Sequence, residues 1–267
     1  MKKVMLIIAS ILLVLSFASC QWDEPVKSNE LTTEHILSID PPDHLYYMVQ
    51  GATFDGEYFY IAFINKYGAY ETAIIVKADK NGNVVKKSDQ LPLDHANSIT
   101  ILENGNLMVA HCQSPDGHYY RYSIIDKDTF EIVKTADLSE PFMAIAYSKE
   151  NKCFVSGEWN GDKMNIHSRD FLHRGSFMVK YAEGTIPQSY FCTEDKIYAV
   201  RFYNDGGFHN YLYAFSYLGE TLLEYEMELP RICEAEAVSV IDGDIYVICA
   251  QSGRCEIYKI TNLIIGE

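Results

Sequence analysis

Three observations predict an all-β chain built from repeated four-stranded units. Past its first segment the sequence shows no convincing long amphipathic helix. Its 267 residues include 20 Tyr and 13 Phe, and with many Val and Ile these are the side chains that suit pleated, packed sheets. One pattern, a short apolar strand, a tight turn and a second apolar strand, occurs five times at intervals of roughly 45 residues, the length of one propeller blade. The predicted fold is therefore a five-bladed β-propeller. A β-sandwich could use the same strands, but the five-fold period argues against it.

The chain opens with Met1-Lys2-Lys3, then an apolar run from Val4 to Phe17 relieved by Ser10 and Ser16, then Ala18-Ser19-Cys20. A basic start, a short apolar run and small residues before a cleavage point make a secretory signal. A membrane-spanning helix needs about 20 apolar residues and is the weaker reading, because Gln21, Asp23 and Glu24 follow at once. A cysteine placed directly after two small residues resembles the bacterial lipobox, so Cys20 is the expected lipidation site. Residues 1–19 are then a lipoprotein signal peptide, 20–31 a polar tether, and 32–267 the propeller domain.

The first repeat is Ala52-Thr53-Phe54, turn Asp55-Gly56, then Tyr58 to Ala62. The second runs Ile99-Thr100-Ile101 through Asn104-Gly105 to Leu107–Ala110. The third pairs Ile145–Tyr147 with Cys153–Val155, and the fourth pairs Tyr190–Cys192 with Ile197–Val200. The fifth joins Val238–Val240 through Asp242-Gly243 to Ile245–Ile248. Outer strands are readable at Ala73–Ala78 and Val84-Val85, at Tyr122–Ile125 and Phe130–Val133, and at Tyr213–Phe215. The fifth copy ends on its third strand, Glu256–Ile260, so a ring with no open edge must take its missing strand from elsewhere. His35–Ile39 is the spare strand and is expected to pair there, completing the last blade.

Six further cysteines lack the density of a disulfide scaffold. Cys249 and Cys255 flank Ala-Gln-Ser-Gly-Arg and could face one another across a hairpin; the others read as small buried apolar groups. The formal net charge is −15, and loss of the leader removes Lys2 and Lys3. Such a surface repels polyanions, so nucleic acid is excluded as a partner.

Gln50-Gly51-Ala52-Thr53-Phe54-Asp55-Gly56 and His95-Ala96-Asn97-Ser98-Ile99-Thr100 resemble the blade openings of five-bladed β-propeller proteins exported by bacteria, many of them lipoproteins of unassigned activity. The resemblance covers about residues 32 to 263. Where such relatives carry an acid after the Asn, this chain has Ser98. The resemblance implies an extracytoplasmic, membrane-anchored protein and does not imply an activity.

Aligning the copies places Gln50, Asn97, Met143, Gln188 and Glu236 at one mouth of the channel. His95, Glu140 and Glu234 stand just before them, and His111, Glu158 and Arg201 at the ends of the returning strands. Polar groups converging on a concave mouth form the default binding site. Internal hydrogen bonding near the axis would account for Gln50, Asn97 and Gln188 equally well. Connections at the same mouth, Asn65–Tyr70, Gln113–Tyr120, Tyr203–Asn210 and the longest, Glu158–Gly175 with Trp159, carry the Tyr, Trp, Asn and Asp that suit a neutral polyhydroxylated ligand. The sequence assigns no cofactor and no metal. Phosphate-cradling loops, Gly-x-Ser-x-Gly and His-Glu-x-x-His are absent. Two readings remain. One is a binding protein for a small ligand, glycan fragment or protein loop. The other is a glycan-cleaving or metal-assisted hydrolase or lyase, with Glu234 or Glu236 as base, His95 or His111 as proton donor or ligand and Arg201 as charge stabiliser.

Overall fold

The computed structural model describes residues 31–65, 72–112, 119–158, 161–230 and 232–261. These residues form five antiparallel four-stranded sheets, the five blades predicted. Blade 1 holds β2 (Tyr46–Phe54), β3 (Tyr58–Asn65), β4 (Ala73–Asp79) and β5 (Val84–Lys87). Blade 2 holds β6 (Ser98–Ile101), β7 (Leu107–Ala110), β8 (Arg121–Ile125) and β9 (Ile132–Asp137). Blade 3 holds β10 (Ala144–Ser148), β11 (Cys153–Gly157), β12 (Lys163–Ser168) and β13 (His173–Met178). Blade 4 holds β14 (Ile186–Cys192), β15 (Lys196–Asn204), β16 (Phe208–Ser216) and β17 (Thr221–Glu226). Blade 5 joins β18 (Glu234–Ile241), β19 (Asp244–Gln251) and β20 (Arg254–Thr261) to β1 (Thr32–Ile39).

The core explains why the middle strands read as unbroken apolar runs. Successive side chains leave a strand on opposite faces, and in a propeller both faces of a blade are covered by neighbours. Along β3, Phe59, Ile61 and Phe63 pack toward blade 5, while Tyr60, Ala62 and Ile64 pack toward blade 2. Ile197 and Ala199 of β15 likewise meet blade 3, and Tyr198 and Val200 meet blade 5. Five apolar clusters result, one at each junction between blades. The outermost strands lose one cover, and β5, Val-Val-Lys-Lys, is exposed along its length.

Closure follows the prediction. β1 runs antiparallel to β20, from Thr32 opposite Thr261 to Ile39 opposite Cys255. Cross-strand polar groups reinforce the seam, with His35 Nε2 at 2.7 Å from Glu256 and Thr32 and Thr261 hydroxyls 2.7 Å apart.

Two sequence expectations are corrected. Glu158–Gly175 is not one long connection, because it contains β12 and the start of β13. Met164 and Ile166 pack on blade 4 while Asn165 and His167 are buried on the other face, so the polar residues that suggested a loop belong to a strand covered on both sides. The Cys249–Cys255 bridge does not form, and the six cysteines from Cys112 onward are buried thiols outside any disulfide. The hairpin register sets Cys255 opposite Ala250 and Cys249 opposite Glu256. Cys249 consequently faces blade 4 and Cys255 faces blade 1, and thiols on opposite faces of a sheet cannot meet disulfide geometry.

Candidate functional site

The channel mouth is shaped by irregularities in the inner strands. In β2 the pairing slips between Val49 and Ala52, in β14 between Pro187 and Ser189, and in β18 between Ala235 and Ala237. The residues left over are Gln50 with Gly51, Gln188, and Glu236. A bulge places two residues opposite one and re-aims a side chain; three blades use one at the same level to present a long polar group. In blades 2 and 3 the inner strands begin later, and Asn97 and Met143 occupy that level just ahead of β6 and β10.

These residues interlock. Asn97 Nδ2 donates to the carbonyls of Met143 (3.0 Å) and Gln188 (2.9 Å), linking three blades. Gln188 Nε2 donates to Glu234 Oε1 at 2.9 Å, reaching the fifth. Gly51 N–H donates to Ala96 O at 2.8 Å, and a Cβ on Gly51 would stand 2.4 Å from that oxygen. Only glycine permits so close an approach of blade 1 to blade 2. None of the five level residues is more than 6% exposed, so they form a polar floor, with half-buried His95, Glu140, Glu158 and Glu234 around it.

Burial sets the charge of this floor. Glu236 is held well above the carboxylate range by desolvation, with the neighbouring Glu234 adding to the effect. Glu234 is raised to about 6 by burial, and His95 is lowered to about 4 for the same reason, because a dry site disfavours whichever form is charged. At neutral pH Glu234 is mostly ionised and His95 is neutral. Among the described residues three buried acceptors at this mouth, Gln50 Oε1 and Glu236 Oε2 on the floor and Glu140 Oε2 beside it, have no hydrogen-bond partner.

Other predicted residues lie elsewhere. His111 is 2% exposed and clamped within blade 2, with Nδ1 at 2.7 Å from Asp94 and Nε2 at 2.8 Å from Ser123, which continues to Thr135. The order Asp, His, Ser is that of a nucleophilic triad, but Ser123 is completely buried, so substrate has no route to it. Arg201 lies opposite Pro187 in β14, yet its side chain turns to Thr185 and Tyr181. Trp159 lies outside the described residues, as does Cys20. Among the described residues no three His, Cys, Asp or Glu could hold a metal ion.

Sequence reading missed the opposite mouth. A cavity of about 520 Å³ opens there, floored by Phe54, Ile101, Tyr147, Phe191 and Ile241, one from each blade. The signal was present, since each ends an apolar run before a turn. A second cavity, of about 490 Å³, lies beside Arg201.

No protein-family model and no curated protein matches this chain. Among solved structures it is similar to the glutaminyl cyclase of Myxococcus xanthus, at 12% identity over 86% of this chain and 97% of that one, with a TM-score of 0.60. It is also similar to the tail fibre of Staphylococcus aureus phage P68, at 12% identity over 89% of this chain and 54% of that one, with a TM-score of 0.62. At such identity the likeness is one of fold. A member of the DUF4221 family from Bacteroides vulgatus aligns over 88% of this chain at 12% identity, with a TM-score of 0.49.

Proposed function

We propose that the polar mouth binds a small ligand that donates hydrogen bonds or carries positive charge, in a protein held outside the cytoplasm by a lipid on Cys20. The observation that carries the binding reading is the pair of buried acceptors on the floor, Gln50 Oε1 and Glu236 Oε2, that have no partner among the described residues. Buried acceptors without partners each cost about 1–3 kcal/mol, and an amine, amide or hydroxyl donor relieves that. The mostly ionised Glu234 and the acidic rim favour a neutral or cationic donor such as an amine or a sugar over an anion. A thermal-shift screen of the purified chain against simple amines, monosaccharides, cell-wall fragments and divalent cations tests this, because a ligand bound only by the native state raises its melting temperature. Glu236→Gln should fold normally and lose the response; a full response in that variant rules out the polar floor as the site.

Glu234 favours a second reading. A carboxyl near pKa 6 beside a second, more deeply buried one can exchange protons near neutral pH, as a hydrolase, lyase or cyclising enzyme requires. Turnover of a glutaminyl-initiated peptide or of simple glycosides, abolished by Glu234→Gln, would select it. Lipid anchoring is checked by Cys20→Ala, which should move the protein from the membrane fraction to the soluble fraction.

A further inference from the structure

Between blades 3 and 4, apart from the polar floor, a guanidinium is buried with no counter-ion. Arg201 is 3% exposed. Its Nε donates to Thr185 Oγ1 at 2.8 Å and its Nη2 to Thr185 O at 2.6 Å, and its plane lies 3.8 Å from the centre of the Tyr181 ring. Arg121, Arg169 and Arg254 each reach a carboxylate; Arg201 reaches none among the described residues. Nη1 reaches no acceptor with normal hydrogen-bond geometry among the described residues, and the hydroxyls of Tyr181 and Tyr190 interact with one another and with the guanidinium. A buried charge left unpaired is expensive, and in a chain of net charge −15 a carboxylate partner would have been easy to supply.

The surroundings are built to hold this arrangement. Tyr181 is wedged edge-on against Tyr213 and Phe215 at 5.1 and 5.5 Å. Ala182 N–H donates to the Tyr213 hydroxyl at 2.9 Å, and Thr185 Oγ1 donates to Ala182 O at 2.8 Å. A Cβ on Gly157 would stand 2.0 Å from the Tyr190 hydroxyl, so glycine at that point leaves the room this hydroxyl occupies. The cavity of about 490 Å³ has Arg201, Tyr181 and Thr185 at its buried end, and exposed Asp162, Lys180 and Glu183 at its rim.

We propose that this cavity is a binding site for a small amino-acid-like carboxylate, whose anionic head pairs with Arg201 and the Tyr181 hydroxyl. A charge-assisted bond to Arg is among the strongest a carboxylate accepts, and Tyr181 and Thr185 line the same end of the cavity. The mixed rim meets a polar or cationic remainder, and its two acids disfavour a multiply charged phosphate.

Glycine, N-acetylglycine, glycinamide and inorganic phosphate, added to the purified chain at equal ionic strength, separate the possibilities. N-acetylglycine and glycine should raise the melting temperature in a saturable way and shift the Arg201 guanidinium nitrogen resonances; glycinamide should do neither. Tyr181→Phe keeps the stacked ring and removes only the hydroxyl beside the guanidinium, so it should fold normally and bind N-acetylglycine at least fivefold more weakly. Arg201→Lys should abolish the response, and should that variant not fold, the Tyr181→Phe affinity and the resonance shift decide. The proposal is overturned if glycinamide or phosphate matches N-acetylglycine, if no carboxylate shifts the Arg201 resonances, or if Tyr181→Phe binds as the parent does.

Discussion

Replacing Glu234 by Gln should change how stability depends on pH within one defined window. The carboxyl titrates near 4.5 in the unfolded chain and at about 6 in the native one. A raised native pKa means that folding favours the protonated form. Its contribution is therefore complete below pH 4.5 and is lost as pH rises toward 6 and beyond. A separation of about 1.5 units at about 1.4 kcal/mol each gives a loss of roughly 2 kcal/mol, reduced toward 1 by the partial exposure of the group. His95 acts with the opposite sign. Lowered from 6.5 to about 4, it favours the neutral form, so its contribution is present above pH 6.5 and is lost as pH falls. The two trends oppose one another, and in the parent protein they partly cancel. The informative quantity is the difference in unfolding free energy between Glu234→Gln and the parent, measured by urea titration from pH 4 to 8. That difference should climb by 1–2 kcal/mol between pH 4.5 and about 6.5 and stay level above. A flat or falling difference would show that Glu234 is solvated, and the account of the dry floor would fail with it.

Three further expectations rest on the fold. Gly51→Ala drives a methyl group against Ala96 O and the Ser98 backbone, and should lower stability by about 1–3 kcal/mol; a chemical melt within 0.5 kcal/mol of the parent contradicts the close approach. Deleting residues 32–39 strips β1 from β20 and leaves an open sheet edge, so calorimetry should show a broadened, less cooperative transition and size-exclusion a tendency to associate. Reducing agent should leave the melting temperature unchanged, since no disulfide links Cys249 and Cys255; a marked drop would mean that a bridge had formed.

The blade count, the inner strands and the closing strand were legible because each depends on local apolar runs and on a period, both of which survive in the linear sequence. The polar floor was legible for the same reason, as Gln50, Asn97, Gln188 and Glu236 hold equivalent places in the repeats. Blade 3 was harder. Asn165 and His167 are completely or almost completely buried in a strand whose two faces are both covered, and a polar residue there looks like a loop residue until its neighbour is known. The fate of Arg201 was hidden by the slip at Gln188. A one-residue bulge in the partner strand changes which face a returning side chain shares with it, so alignment alone sent Arg201 to the channel when it belongs to the seam between blades. His111 misled in a simpler way, since its partners Asp94 and Ser123 stand 17 and 12 residues away and no local pattern joins them.

The pairing of β1 with β20 sets the side of the domain from which a tether would leave. β18 leaves the polar floor near Glu236, β19 returns toward it, β20 leaves again and β1 runs back antiparallel to β20. Thr32 and Thr261, which face each other across that last pair, therefore both lie on the side away from the polar floor. Twelve residues from Cys20 to Leu31 reach at most about 40 Å when extended. A molecule hung from a bilayer at Cys20 would ride with its aromatic mouth turned down toward the lipid and its polar mouth looking out, open to whatever diffuses past.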